Sequence, residues 1–285
     1  HLGAIDIREF IPGSLDGARR HGKNNSQLTI NQAIDSIHSQ GGLAFAAHPG
    51  CLFGFLQRLF LHRGKWEERD IGDELDGFQS LNGEYDRGWK RAKKLWINKL
   101  QQGFHLPLFA GNDAHGDFNR YRSLSVPFLS ISDTYTRYFA QSRTGIYGEI
   151  SNSYELVQGI RNGETFVTTG PYCGLSLPGH ESSKLITNKN SELSDVSTIT
   201  VQVVSTPEFG EIDDVTVYGY SYGSGTRERV IFHRNGESRE YESDYSIDIS
   251  GVTGKGYLRV ECRCCDRHSG KTTTAHTSPC YFIRN

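Results

Sequence analysis

The chain has 285 residues, and its 31 lysines and arginines against 33 aspartates and glutamates give a formal net charge of -2. The sequence pI near 6.6 leaves no basic excess to neutralise a nucleic-acid backbone, so nucleic acid is disfavoured as a partner. No apolar run approaches the ~18 residues of a membrane span, so we expect a soluble chain with no membrane partner, cytoplasmic or exported according to what precedes residue 1.

From residue 1 to about 178, short apolar strands alternate with amphipathic helices. The segment SQLTINQAIDSIHSQGG repeats its apolar residues at helical spacing, and the strand LAFAA after it ends at His48-Pro49. A second strand, LDGFQSL, ends at Asn82-Gly83, and the helix WKRAKKLWINKLQQ stops at Gly103 before the strand PLFAG runs into Asn112-Asp113. Such alternation predicts parallel β/α units.

Further along, Asn152 and Glu155 predict a capping box for the helix YELVQGIRN, which Gly163 ends before the strand TFVTT. Beyond about residue 185 the apolar residues alternate with period two between Gly, Asn and Asp turns, as in STITVQVVS and GYLRVEC. This pattern is typical of a β-sandwich. We therefore predict an α/β domain over residues 1–178 and an antiparallel β-sandwich over residues 179–285.

Candidate metal ligands follow two of the predicted strands. Asp113 and His115 in GNDAHGD lie two residues apart, and side chains at that spacing share a face of an extended segment. His48 leaves the end of LAFAA in the same way, and the carboxyl ends of β/α strands are where such folds carry their sites. Imidazole and carboxylate together suit a divalent ion, although the Asp-Ala-His turn by itself is also explained as an Asx-type loop.

The strings GGLAFAAHPG, LNG at residues 81–83, AGNDAHG, ETFVTTGP and the late TSPCYF resemble, in order and approximate spacing, successive blocks of PHP (polymerase and histidinol phosphatase) metallohydrolases. The resemblance is to the branch with a C-terminal β-domain, and its metallohydrolase blocks cover roughly residues 1–175. It implies a distorted (β/α)7 barrel, here with its N-terminal part missing, followed by the sandwich. It also implies two or three divalent ions (Mn, Fe or Zn), with His1, His48, Asp113 and His115 among the metal ligands. The family's early H-x-H pair and the Asp and Glu ligands that follow it have no counterpart in this chain.

The function that these residues favour is hydrolysis of a small phosphoester through a metal-bound hydroxide, which divalent ions generate near neutral pH. Arg120 is a candidate contact for a substrate oxyanion, although a structural arginine explains it as well. The alternatives are a carbamate or carboxylic ester hydrolase on the same metal centre, a non-catalytic protein that binds a glycan or partner, and a nuclease, which the charge disfavours.

The remaining histidines, His276 among them, lack a partner at ligand spacing, so we expect surface or loop side chains. The six cysteines lack the paired C-x-x-C spacing of a zinc ribbon. Cys262 and Cys264 share the inward face of the strand GYLRVECRC, which favours buried thiols over a disulfide to Cys280.

Overall fold

The structure is a computed structural model that describes residues 1–13, 28–51, 66–83, 85–113, 123–126, 129–132, 140–177, 191–192, 196–236 and 239–284. The chain divides into two compact units. Unit 1 comprises residues 1–80 and 85–106, and unit 2 comprises residues 81–84 and 107–285.

Unit 1 combines short strands with two helices. Its strands are β1 (Leu2–Ile5), β2 (Leu43–Ala46) and the first four residues of β3 (Gly77–Asn82), and its helices are α1 (Ile30–His38) and α2 (Arg87–Gln101), with a short 3-10 turn at Glu68–Asp70. β1 runs antiparallel to β2, with Leu2 opposite Ala46, whereas β3 runs parallel to β2. The strands LAFAA and LDGFQSL were predicted correctly in position, and β2 and β3 have the predicted parallel direction.

The helices of unit 1 begin and end where the sequence indicates. Asp86 caps α2 by accepting a hydrogen bond from the Trp89 backbone N–H at 2.9 Å, and Gly103, with φ +94, follows its last turn. Trp89, Ala92, Trp96 and Leu100 recur along one face of α2 and are buried. Burial of this apolar stripe stabilises the packing of the basic helix within unit 1.

Unit 2 is rich in strands and contains one described helix, α3 (Ser153–Arg161). Its strands are β4 (Leu108–Gly111), β5 (Ser123–Val126), β6 (Leu129–Ser132), β7 (Arg143–Ile146), β8 (Thr165–Thr168), β9 (Tyr172–Ser176), β10 (Ser191–Glu192), β11 (Thr198–Val204), β12 (Glu211–Ser221), β13 (Arg229–Asn235), β14 (Glu242–Asp248), β15 (Gly254–Cys265), β16 (Thr272–Thr277) and β17 (Cys280–Arg284).

Two sheets of unit 2 share one apolar core. The larger sheet is built around β15, which pairs with β12 on one side and with β16 and β17 on the other. The smaller sheet has the order β14-β11-β9. Alternate residues of the strands in both sheets are buried in a single cluster, for example Val201 of β11 and Val260 of β15. This arrangement is a β-sandwich, as the period-two pattern predicted.

The predicted (β/α)7 barrel is wrong. The described strands and helices give a mostly β chain with several antiparallel sheets. The strand TFVTT, placed in the barrel by its sequence, is β8, which pairs antiparallel with β7 and with β16 in the larger sheet of the sandwich. The helix α3 connects β7 to β8, and these two strands are antiparallel. The order strand-helix-strand in the sequence was therefore not enough to predict the relative direction of the strands.

The predicted boundary near residue 178 stays a prediction. Residues 178–190, where the linker was expected, lie outside the described residues. Among the helices that the structure describes, none has the length and apolarity required to traverse a bilayer.

A buried charged cluster lies on the face of β15 opposite the core. The Arg259 guanidinium donates to both carboxylate oxygens of Glu228, at 2.7 and 2.5 Å, and also to Glu261. The ring of Tyr218 lies 4.1 Å from the guanidinium carbon, and the Tyr257 hydroxyl donates to Glu228 at 2.9 Å. Burial acts to lower the pKa of Arg259, but the two carboxylates outweigh it and hold that pKa above its usual value.

Candidate metal site

The antiparallel pairing of β1 with β2 brings His1 next to His48. Leu2 lies opposite Ala46, and the Ala47 N–H donates to the His1 carbonyl at 3.1 Å, so residue 1 lies beside the end of β2. The Nδ1 atom of His1 is 2.9 Å from the Nε2 atom of His48. The two rings meet edge to face with centroids 4.8 Å apart. Two imidazoles separated by 47 positions in the sequence thus point ring nitrogens at each other.

This distance is close to that between two nitrogen ligands of one cation. Histidine nitrogens bind zinc at about 2.0–2.1 Å, and two such bonds at the tetrahedral angle would separate the nitrogens by about 3.3 Å. The separation of 2.9 Å between Nδ1 of His1 and Nε2 of His48 is that of a hydrogen bond between the two rings, slightly shorter than two zinc ligands require. A small rotation of either ring would let both nitrogens bind one divalent ion that accepts imidazole ligands.

His48 lies in a turn that several groups hold in place. Its φ of 36 is in the left-handed region, which few residues other than glycine adopt. The Gln79 side chain accepts a hydrogen bond from the His48 N–H at 3.1 Å, and the Trp66 indole donates to the Ala47 carbonyl at 3.1 Å. Strain of this kind costs on the order of 1–3 kcal/mol and persists where the surroundings fix the backbone.

The same turn packs against α2 through Gly50. A Cβ atom on Gly50 would lie 2.0 Å from the Gly88 carbonyl oxygen and 2.8 Å from the Ala92 Cβ. Only glycine allows the turn after His48 to approach the helix so closely. The helix and the turn together fix the backbone from which the His48 imidazole projects.

Asp113 occupies a comparable position in unit 2. It follows β4, and its φ of 48 is again in the left-handed region. The residue before it, Asn112, exchanges hydrogen bonds with the Ser142 backbone, accepting at 2.8 Å and donating at 3.2 Å. The buried Ser142 hydroxyl donates to the Gly111 carbonyl at 2.7 Å. Hydrogen bonds at the Gly111 carbonyl and at the Asn112 side chain therefore hold the segment that leads to Asp113.

Strand β4 is itself attached to the sandwich of unit 2 by hydroxyl groups. The Leu108 N–H donates to the Ser278 hydroxyl at 2.8 Å, and the Thr165 hydroxyl donates to the Leu108 carbonyl at 3.0 Å. Ser278 and Thr165 share a further hydrogen bond of 2.7 Å between their hydroxyls. Two residues later, the Ala110 N–H donates to the Thr144 hydroxyl at 2.9 Å. Side chains of the sandwich thus fix the strand that leads to Asp113.

The structure brings together two of the four predicted metal ligands. His1 and His48 meet within unit 1, whereas Asp113 belongs to unit 2. His115 and the candidate oxyanion contact Arg120 lie outside the described residues. Within the described residues there is no group of three or more His, Cys, Asp or Glu side chains arranged to hold a metal ion. The shared site of all four ligands stays a prediction.

Gln79 and Ser142 were missed from the sequence. Gln79 had no distinguishing signal, since the same strand also contains the polar residues Ser80 and Asn82. Ser142 had none, because its bonds to Asn112 span 30 positions and exist only in the folded chain.

Three other histidines have partners that explain them without a ligand. His38 contacts Asp76 at 2.7 Å, and His233 contacts Asp214 at 2.8 Å. The expectation that His276 lies at the surface or in a loop is wrong. It lies in β16 and is buried, 2.6 Å from the Thr274 hydroxyl and 3.6 Å from a carboxylate oxygen of Glu261 on the neighbouring strand β15.

No family model matches the chain, and no curated protein matches it. Among solved structures, the soluble domain of PmoD from Methylocystis sp. ATCC 49242 (Rockwell) is similar at 11% sequence identity and a TM-score of 0.25, over 40% of this chain and 90% of that domain. This likeness is too low to carry an argument about fold or function.

Proposed function

We propose that this chain is a metal-dependent hydrolase of small phosphoesters, and that His1 and His48 hold one of its divalent ions (Mn, Fe or Zn). The observation that carries the proposal is the 2.9 Å approach of Nδ1 of His1 to Nε2 of His48 at the end of β2. The left-handed backbone at both His48 and Asp113 supports it, because such strain concentrates at functional sites.

The roles of the chain's own residues follow from their chemistry. The two imidazoles bind as neutral donors, and Gln79 fixes the backbone of one of them. Asp113 is the proposed anionic ligand, and Asn112 with Ser142 fixes the backbone from which its carboxylate projects. When bound, a divalent ion supplies Lewis acidity, which lowers the pKa of water to about 7 and stabilises negative charge on phosphoryl oxygens. Arg120 remains the proposed contact for a substrate oxyanion.

Metal titration of the chain and its variants tests the site. The chain is prepared with residues ahead of His1, so that no free α-amino group of that residue adds a ligand. We expect His48→Ala and His1→Ala each to weaken binding of Zn²⁺ or Mn²⁺ at least 100-fold, since loss of groups that merely orient ligands costs about 10–100-fold. Gln79→Ala is expected to weaken it about 10-fold.

The matched control is His38→Gln, which removes an imidazole from the same unit that is already bonded to Asp76. Its metal affinity should equal that of the unsubstituted chain. Unchanged affinity in His48→Ala, or an equal loss in His38→Gln, would overturn the assignment of the ligands.

A substrate panel tests the reaction separately. We expect the metal-loaded chain to hydrolyse nitrophenyl phosphate and to lose this activity in Asp113→Ala. Turnover of aryl carbamates or carboxylic esters without turnover of the phosphate would instead assign ester hydrolysis to the same centre. Tight metal binding with no turnover of any of them would refute the hydrolase proposal and leave the metal site standing.

A further inference from the structure

The core of the sandwich contains a row of thiols that the proposed metal site does not use. Cys173 lies on β9 in the smaller sheet, and Cys262 and Cys264 lie on β15 in the larger one. All three side chains are buried in the same apolar cluster, with 0%, 2% and 0% of their surface exposed. They therefore project toward each other from facing sheets.

The thiols lie near enough to affect one another's pKa. Interaction with the Cys173 thiol, followed by burial, raises the pKa of Cys262 well above its usual value. Interaction with the Cys262 thiol in turn raises the pKa of Cys264. Cys280 belongs to the same core, but burial alone raises its pKa, to about 12.

The strands that carry these thiols approach each other closely. Cα atoms of β9 and β15 come within 8 Å of each other, whereas packed sheets are ordinarily about 10 Å apart. Residues beside the thiols are small, since Gly174 follows Cys173 and Ala275 pairs with Cys262 across the ladder. Disulfides span Cα separations of about 4.4–6.8 Å, so strands that pack this closely are the ones that a disulfide can link.

We propose that Cys173 and Cys262 form a disulfide that links the two sheets when the chain folds in the presence of a disulfide oxidant such as oxidised glutathione. The S–S bond of the oxidant and two S–H bonds of the chain break. One S–S bond forms between Cys173 and Cys262, and the two electrons and two protons end on two molecules of reduced glutathione. Cys173 and Cys262 are both thiols in the structure, which is the reduced form.

Cys264 is the less suitable partner for Cys262. Residues two apart on one strand are separated by about 6.6 Å, and their side chains run parallel instead of converging. The step belongs to folding, because the closed sandwich buries all three sulfurs and disfavours the thiolate that must attack the oxidant.

Intact-mass analysis after refolding tests the link. The chain is refolded from denaturant in a glutathione redox buffer, quenched and alkylated under denaturing conditions. We expect alkylation at four of the six cysteines, and non-reducing peptide mapping should join Cys173 to Cys262. Closure of a loop of roughly 90 residues should raise Tm by about 10 °C over the reduced chain. Six alkylated cysteines, or glutathione adducts instead of the link, would overturn the proposal.

Variants identify the partners. Cys173→Ala and Cys262→Ala should abolish the link, and the matched control Cys280→Ala, a buried cysteine of the same core, should retain it. Cys264→Ala should also retain it. A link that persists in Cys173→Ala but disappears in Cys264→Ala would show that the wrong pair was chosen. The mass of the unsubstituted chain decides the matter even where a variant fails to fold.

Discussion

Arg259 is a buried charged residue whose guanidinium contacts several partners. Its planar guanidinium binds both oxygens of Glu228, reaches Glu261 and lies over the ring of Tyr218. With only 1% of its surface exposed, it has little water to replace these partners. The cluster therefore depends on the shape of arginine as well as on its charge.

We expect Arg259→Lys to lower the free energy of unfolding by on the order of 2–3 kcal/mol, because lysine keeps the charge but cannot bind a carboxylate through two parallel bonds. Denaturant unfolding measures this loss. The matched control is Arg263→Lys on the same strand, whose pair with Asp213 is exposed and whose loss should stay below about 1 kcal/mol. Equal losses in the two variants would contradict the role of the buried fork.

At the level of elements, the turn after β2 depends on its contact with α2. Gly50→Ala would place a methyl group 2.0 Å from the Gly88 carbonyl oxygen, so the turn or the helix must move. We expect a loss of about 1–3 kcal/mol in unfolding free energy. A weaker metal affinity should accompany it, since the turn carries His48.

Paired unfolding and metal titrations check this prediction. Gly13→Ala is the control, because a Cβ atom there would meet nothing within 4 Å among the residues that the structure describes. Retained affinity in Gly50→Ala, together with the expected loss of stability, would mean that the turn does not position the imidazole.

Local sequence predicted the elements of unit 1 well. The strand LAFAA is an apolar run that ends at His48-Pro49, the strand LDGFQSL ends at Asn82-Gly83, and α2 repeats its buried residues at helical spacing. Asn152 caps α3 in unit 2 by accepting from the Glu155 N–H at 3.0 Å, but Glu155 accepts from the Ser151 N–H instead of the Asn152 N–H, so only half of the predicted capping box forms. These features depend on residues a few positions apart, which a sequence displays directly.

Strand partners were harder to predict. Nothing local to TFVTT indicates that it pairs with β16, which lies about 110 positions later. The contact between Gln79 and the His48 backbone spans 31 positions, and it was also invisible in the sequence. His48 itself was found because its chemistry and its place at the end of a strand are both local properties.

At the scale of the whole molecule, the period-two pattern predicted the sandwich. Its sheets also contain β7, β8 and β9, which precede the segment with that pattern, because β7 pairs with β8, β8 pairs with β16 and β9 pairs with β11. Which strands pair over such distances depends on all the strands of the folded chain, and a local sequence pattern does not show it.

Acid should destabilise the sandwich through two of its turns. Asp248 accepts from the Ser250 N–H, and Asp266 accepts from Ser269 and from the His268 N–H, so both carboxyl pKa values fall below the usual 3.8. A lowered pKa in the folded state stabilises the fold above the unfolded value. This contribution is lost as the pH falls through the folded value, below about 3.8.

Unfolding midpoints measured from about pH 6 to about pH 2, the range in which carboxylates titrate, check this expectation. The double variant Asp248→Asn/Asp266→Asn should show a smaller loss of stability in acid than the unsubstituted chain. The control Glu9→Gln/Asp73→Asn removes the same charge from two exposed positions of unit 1 and should leave the acid dependence of the sandwich unchanged. A steeper acid dependence in the first variant would contradict the sign.

The hydroxyl pair Ser278 and Thr165 joins the two ends of unit 2's sequence in space. Leu108, at the start of β4, is bonded to a residue 170 positions away, just before the last strand of the chain. A substitution at Ser278 would therefore disturb β4 and the backbone of Asp113 that follows it. The position of the Asp113 carboxylate thus depends on a residue that is distant in the sequence and does not contact it through this bond.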